Sequence, residues 1–132
     1  MATSNKDHIR HVLVIDDDEF LLLAIKKKLE LSNYRVTTSS NVHDAYFKLN
    51  MAKPDVIMLD VIMPDLNGVE FMQLISTQEK GSKTPIILMS FLPRKELSKM
   101  GYDIGKAHYL DKPFDLDKLP AVIRKTRLAA NT

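Results

Sequence analysis

Asp55–Gly68 reads D-V-I-M-L-D-V-I-M-P-D-L-N-G. Val56, Ile57, Met58 and Leu59 form an apolar run of strand length, and Asp60 closes it just before Pro64 and the Asn67-Gly68 pair turn the chain. A strand without polar alternation is one covered on both faces, as in parallel sheets. In open α/β sheets ligands bind beyond the carboxyl ends of such strands, where Asp60 projects. By itself an aspartate that breaks a strand is commonplace. Its weight comes from similar features elsewhere in the chain.

Working outward, Val12 to Ile15 is a second apolar run, and it too ends in acid, at Asp16, Asp17 and Asp18. A helix is expected from about Glu19 to Leu31. Turning 100° per residue places Leu21, Ala24, Ile25 and the stem of Lys28 on an inward stripe with Leu29 at its edge. Phe20, Leu22 and Leu23 fall outside it, an apolar patch near Lys26 and Lys27. Tyr34 to Thr38 reads as an edge-like strand. Asn41 is the expected N-cap of a helix bearing Ala45, Phe47, Leu49 and Met51, which Pro54 ends.

Beyond Gly68 the pattern predicts a helix with Val69, Phe71, Met72 and Ile75 inward, then a loop over 80–84 marked by Gly81. Residues 85–90 form a fourth strand ending on the Ser90 hydroxyl. A short helix over 94–100 precedes Gly101 and Gly105, and a fifth strand over 107–110 leads to Asp111-Lys112-Pro113-Phe114. The last helix begins at or just before Pro120, which cannot give an interior helix N–H, and carries Val122, Ile123 and Leu128. Strand and helix alternate throughout, so the fold class is α/β: a doubly wound five-stranded parallel sheet with helices on both faces. Right-handed crossovers permit the flavodoxin-like order 2-1-3-4-5 without fixing it.

Composition narrows the function. The 132 residues suit one domain that buries roughly two-thirds of its unfolded surface. A net charge of +2 singles out no partner, and the absence of cysteine removes disulfides, thiolate zinc sites and a cysteine nucleophile. His8, His11, His43 and His108 are scattered, without metal-ligand spacing. The polar arm over 1–11 has no apolar core of a leader, and the longest apolar stretch, Phe20 to Ile25, is too short to span a bilayer. A disordered arm, no membrane association and a cytoplasmic location are the expectations.

In the order 2-1-3-4-5 the strand ends would gather Asp16, Asp17, Asp60, Ser90 and Lys112 in one crevice. Clustered carboxylates repel, so one resists ionisation unless a cation neutralises the group. An open, all-oxygen site suits Mg2+ better than zinc. The set fits phosphoryl chemistry, with Asp60 as nucleophile, Lys112 neutralising one phosphoryl oxygen and Ser90 holding another. Each residue has a duller role: Asp16 and Asp17 as helix caps, Ser90 as a turn residue, Lys112 as a surface lysine.

Val14-Ile15-Asp16-Asp17, Asp60 with Met63-Pro64 and Gly68, Ser90, Tyr109 and Lys112-Pro113-Phe114 resemble the receiver domain of two-component response regulators, the chemotaxis receiver included. The likeness covers about Val12 to Leu128, leaving 129–132 as a tail. It implies that Asp60 accepts a phosphoryl group from a histidine kinase or histidine phosphotransfer protein. Asp16, Asp17, Asp60 and the backbone carbonyl of Ile62 would hold Mg2+. Ser90 and Tyr109 would be the switch pair, and a downstream protein would dock on the face of the fourth helix, fifth strand and fifth helix. On this view the chain is no enzyme beyond its own phosphorylation and dephosphorylation.

Three residues depart from or modulate the family pattern. Phe91 stands where a small residue is usual, either at the lip of the crevice or turned sideways into a helix. Ile62 and Leu92 occupy positions that place or exclude the hydrolytic water, and both are apolar, which implies a long-lived phosphoryl group. No output domain is expected within the 132 residues, as a stand-alone receiver or a module of a longer protein. Arg124, Lys125 and Arg127 suit a solvated helix face, so no direct nucleic-acid contact is expected. Two other readings stay open: a receiver-like interaction module that is never phosphorylated, and a haloacid-dehalogenase-like phosphatase. The phosphatase calls for D-x-D on the first strand and room for a cap.

Overall fold

The central strand of the sheet is the one that carries Asp60. A computed structural model describes residues 10–64, 68–76, 84–101 and 107–130. The elements run β1 (Arg10–Ile15), α1 (Glu19–Leu31), β2 (Tyr34–Ser39), α2 (Val42–Ala52), β3 (Val56–Asp60), α3 (Gly68–Ser76), β4 (Ile86–Ser90), α4 (Arg94–Lys99), β5 (His108–Asp111), a 3-10 turn (Leu116–Lys118) and α5 (Leu119–Ala130). All pairings are parallel and the order is β2-β1-β3-β4-β5. The pattern of the chain predicted the elements and permitted this order, which the strand pairings adopt.

Every residue of β3 is buried, as its unbroken apolar run requires. Alternate residues point to opposite faces. Leu13, Ile15, Ile57, Leu59 and Leu88 pack with Val42, Ala45 and Leu49 of α2, Phe71 and Ile75 of α3 and Leu97 of α4. Val12, Val14, Val56, Met58, Ile87 and Met89 pack with Leu22, Ile25 and Leu29 of α1 and Leu119 and Ile123 of α5. Two helical layers therefore sandwich the sheet.

Several local expectations need correction. Arg10 and His11, assigned to the arm, belong to β1, where they pair with Tyr34 and Arg35. The last helix runs through Ala130, two residues into the expected tail. The inward face of α1 is rotated by nearly one residue step: Leu22, Ile25 and Leu29 are buried, while Leu21, Ala24 and Lys28 lie at its flank. Four successive apolar residues, Phe20 to Leu23, cover most of the helical wheel, so periodicity alone could not place its centre. Phe20 and Leu23 do stay outside, at 89% and 52% exposure. Lys28 reaches Asp117 at 2.6 Å, a clip between α1 and the 3-10 turn.

Asn41 caps α2 as expected, accepting from the Asp44 N–H at 2.8 Å. Phe71 and Ile75 face inward on α3. The residues of the arm before Arg10, Asn67, the loop at 80–83, Gly105, the last two residues of the tail and the side chains of Val69, Arg127 and Leu128 lie outside the described set. Among the described residues, no helix is long and apolar enough to cross a membrane.

Candidate functional site

Backbone ties beyond the strand ends build the site. The Asp16 N–H donates to the Ser39 carbonyl at 3.1 Å, Val61 N–H to Met89 at 2.9 Å and Lys112 N–H to Ser90 at 2.8 Å. Asp16, Asp60 and Lys112 thus sit where the ladder is still holding the chain at or just past a strand end. Gly68 closes in beneath them: its N–H donates to the Val61 carbonyl, and a Cβ there would overlap the Asp60 carbonyl oxygen and lie 2.7 Å from Val61 Cα. The Asn67-Gly68 turn signal thus marks a close approach of α3 to the end of β3.

Asp16, Asp17 and Asp60 offer one oxygen each within 4.8 Å of one another. Asp16 and Asp60 are buried, and Asp17 is exposed. Lys112, the residue after β5, joins them, with Nζ at 2.5 Å from Asp16 Oδ2 and 3.4 Å from Asp60 Oδ2. Its side chain is 5% exposed, so it is no surface lysine. Asp16 Oδ1 accepts from the Asp18 N–H at 2.9 Å, and Asp60 Oδ1 from the Ile62 N–H at 3.2 Å.

Burial, and then the Asp16 charge, pushes the Asp60 carboxyl up to about 6 against the opposing pull of Lys112. Burial acts to lower the Lys112 ammonium, but the Asp16 hydrogen bond and the Asp60 and Asp16 charges overcome it and hold it above its ordinary range. Two carboxylates thus share a single cation, which is too little to offset the burial of Asp60 and the charge of Asp16 beside it. Three oxygen donors of hard, anionic character beside an open crevice are a donor set that fits Mg2+.

That crevice, about 260 Å³, is lined by Asp16, Asp17, Asp60, Ile62, Ser90, Phe91, Leu92 and Lys112, together with Asp18. Phe91 lies at the lip, 74% exposed, with Lys112 Nζ 5.4 Å from its ring centre. Ile62 is about half exposed. Ser90 is buried and its Oγ accepts from the Leu92 N–H at 3.0 Å. Tyr109, half-buried, donates its hydroxyl to the Leu92 carbonyl. Burial raises the Tyr109 phenol above its ordinary range, with the nearby Ser90 hydroxyl opposing. All the expected site residues therefore gather at one end of the sheet.

Two contributors were missed. Asp18, not Asp16 or Asp17, caps α1, accepting from the Phe20 and Leu21 N–H groups at 3.1 Å. The signal was available, since an acid directly before a helical run is a standard N-cap. Arg94 lies over the Tyr109 ring, 5.9 Å from its centre, and donates to the Ala107 carbonyl. No local signal announces that meeting, because only the β4–β5 pairing creates it.

The described family model for the response regulator receiver domain matches residues 12–124. Transcriptional regulatory protein KdpE of Staphylococcus aureus is 37% identical over 113 residues, covering 86% of this chain and 48% of that protein. Chemotaxis protein CheY4 of Vibrio cholerae superposes with a TM-score of 0.82 at 28% identity, covering 89% of this chain and 98% of that one. Response regulator TrrA of Thermotoga maritima, solved in complex with Mg2+-BeF, gives 0.73 at 27% identity, covering 89% and 98%. The chain spans about half the length of the regulatory proteins it matches. With the order of the sheet and the acidic crevice already in place, the chain belongs to the response regulator receiver domain family.

Proposed function

We propose that this receiver is a phosphorylation-dependent signalling switch of a two-component phosphorelay, with Asp60 as the acceptor and a phosphohistidine protein, kinase or phosphotransfer, as the donor. The observation that carries it is the convergence of Asp16, Asp17 and Asp60 oxygens within 4.8 Å beside buried Lys112. An Asp60 carboxylate oxygen would attack phosphorus; the new O–P bond forms as the N–P bond breaks, and its electron pair returns to the donor imidazole. Lys112 would neutralise one phosphoryl oxygen, and the Ser90 hydroxyl would turn from the Leu92 N–H to another. Asp16, Asp17, Asp60 and the Ile62 carbonyl would hold Mg2+, which when bound supplies charge neutralisation for the phosphoryl group.

The protein would act on no substrate other than its own carboxyl group. Movement of Ser90 and Tyr109 would reshape the α4-β5-α5 face for a downstream protein. Because the relatives named as transcriptional regulators are about twice as long, their outputs are not carried over to this chain. Phe91 at the lip supports a second reading, a receiver-like module that binds without being phosphorylated. Exposure to a phosphodonor in Mg2+ should add one phosphoryl group by mass spectrometry, and Asp60→Asn should add none. Labelling of that variant would sink the proposal, and saturation by beryllofluoride without any labelling by a histidine donor would favour the second reading.

A further inference from the structure

We propose that Arg94 is a positioning residue of the switch: it pins Tyr109 against the β4–α4 connection by stacking on its ring and by tying the first turn of α4 to the entry of β5. The inference rests on the phosphoswitch reading and adds to it a residue 15 positions away in sequence.

The contacts form a closed loop. From Ser90, whose Oγ accepts the Leu92 N–H, the chain turns through Leu92, whose carbonyl accepts the Tyr109 hydroxyl. The Arg94 guanidinium then covers the Tyr109 ring at 5.9 Å and donates to the carbonyl of Ala107, just before β5. Tyr109 is held at both ends, hydroxyl and ring face. Register explains the geometry, because Leu88 pairs with Tyr109 and Ser90 with Asp111, so the ring rises beside the same connection that Ser90 begins.

Helix energetics do not account for Arg94. It opens α4, where a cation faces the positive end of the helix dipole and an acidic or small polar residue would suit better. Pro93, the N-cap, makes no side-chain bond. The guanidinium instead leaves the helix for β5, and its planar, delocalised form suits both a carbonyl and an aromatic face. Removing it leaves the Tyr109 hydroxyl bond but frees the ring, so the present position against Leu92 becomes one of several.

The test uses the full chain. With ring-labelled tyrosine, the Tyr109 resonance is assigned through Tyr109→Phe in the protein without added Mg2+. Arg94→Ala should shift and broaden it toward the position of an exposed ring, and Arg94→Lys should restore it only in part. In Mg2+, Arg94→Ala should weaken beryllofluoride binding by roughly two- to fivefold. In a Tyr109→Ala background the same change should have no effect. An unmoved Tyr109 resonance, or an Arg94 effect that persists without the ring, overturns the clamp. Failure of the unaltered chain to bind beryllofluoride would instead count against the phosphoswitch, while the resonance still decides on Arg94.

Discussion

Lys112 bridges Asp16 and Asp60, at 2.5 Å and 3.4 Å, so one ammonium just past β5 satisfies carboxylates at the ends of β1 and β3. Removing it strands two buried charges. Lys112→Ala should lower stability at pH 7.5 by about 3 kcal/mol, measured by urea denaturation, because breaking a buried pair costs more than forming it returns. At pH 5 the loss should shrink as Asp60 takes up a proton. Because Lys112 is raised above its usual range in the fold, its own stabilising contribution is present throughout this window and lost only in strong alkali.

Asp60 is the opposite case. Its carboxyl, pushed up to about 6 from an ordinary 3.8, binds a proton more readily folded than unfolded. Stability therefore falls as pH rises from about 4 to 6 and stays lowered above that. Asp60→Asn should raise stability at pH 7.5 by about 1–2 kcal/mol after solvent screening, and by little at pH 4. Thermal melts at the two pH values, without divalent ion, test this; an equal gain at both would contradict it. Mg2+ should stabilise the unaltered chain more at pH 8 than at pH 5.

Gly68→Ala should destabilise by about 2 kcal/mol or more, since its Cβ would meet the Asp60 carbonyl and Val61 Cα, both backbone and neither free to yield. Denaturation together with phosphodonor labelling distinguishes a merely weakened fold from a displaced Asp60. Normal stability would mean that α3 can back away from β3.

Phe91→Ala should speed labelling by acetyl phosphate severalfold, because the ring stands at the lip over Lys112. The accompanying loss of stability should be small, about 0.5–1 kcal/mol for an exposed cation–ring contact. Unchanged labelling rates would show that the ring does not obstruct small donors.

Neither Ile62 nor Leu92, both lining the crevice, has a side chain that can orient water. Phosphate should therefore leave the labelled protein slowly in Mg2+, and Ile62→Gln should hasten its loss by about tenfold, the scale of a modest gain in positioning water. Rapid loss from the unaltered chain would contradict this account.

The elements of the fold were legible because β3, β1 and β4 each carry an unbroken apolar run that stops at a polar residue, and because Asn41 and Pro120 mark helix starts. The site followed from the same fact, since Asp16, Asp60 and Ser90 are where those runs stop. What remained hidden depended on contacts between distant segments. The rotation of α1 is decided by which leucines meet β1 and β3, and four apolar neighbours left it undetermined. The side that Phe91 takes, and the meeting of Arg94 with Tyr109, depend on how β5 seats beside β4.

The ladder bond from Val61 to Met89 holds the chain just past Asp60, the last residue of β3, with β1 and β4 on either side. A phosphoryl group on Asp60, as proposed above, would add its charge to a buried strand paired on both sides, an anvil rather than a hinge. On the proposed reading, a change of shape would then travel sideways, through the contacts of Leu92 with Ser90 and Tyr109 to the outer strand.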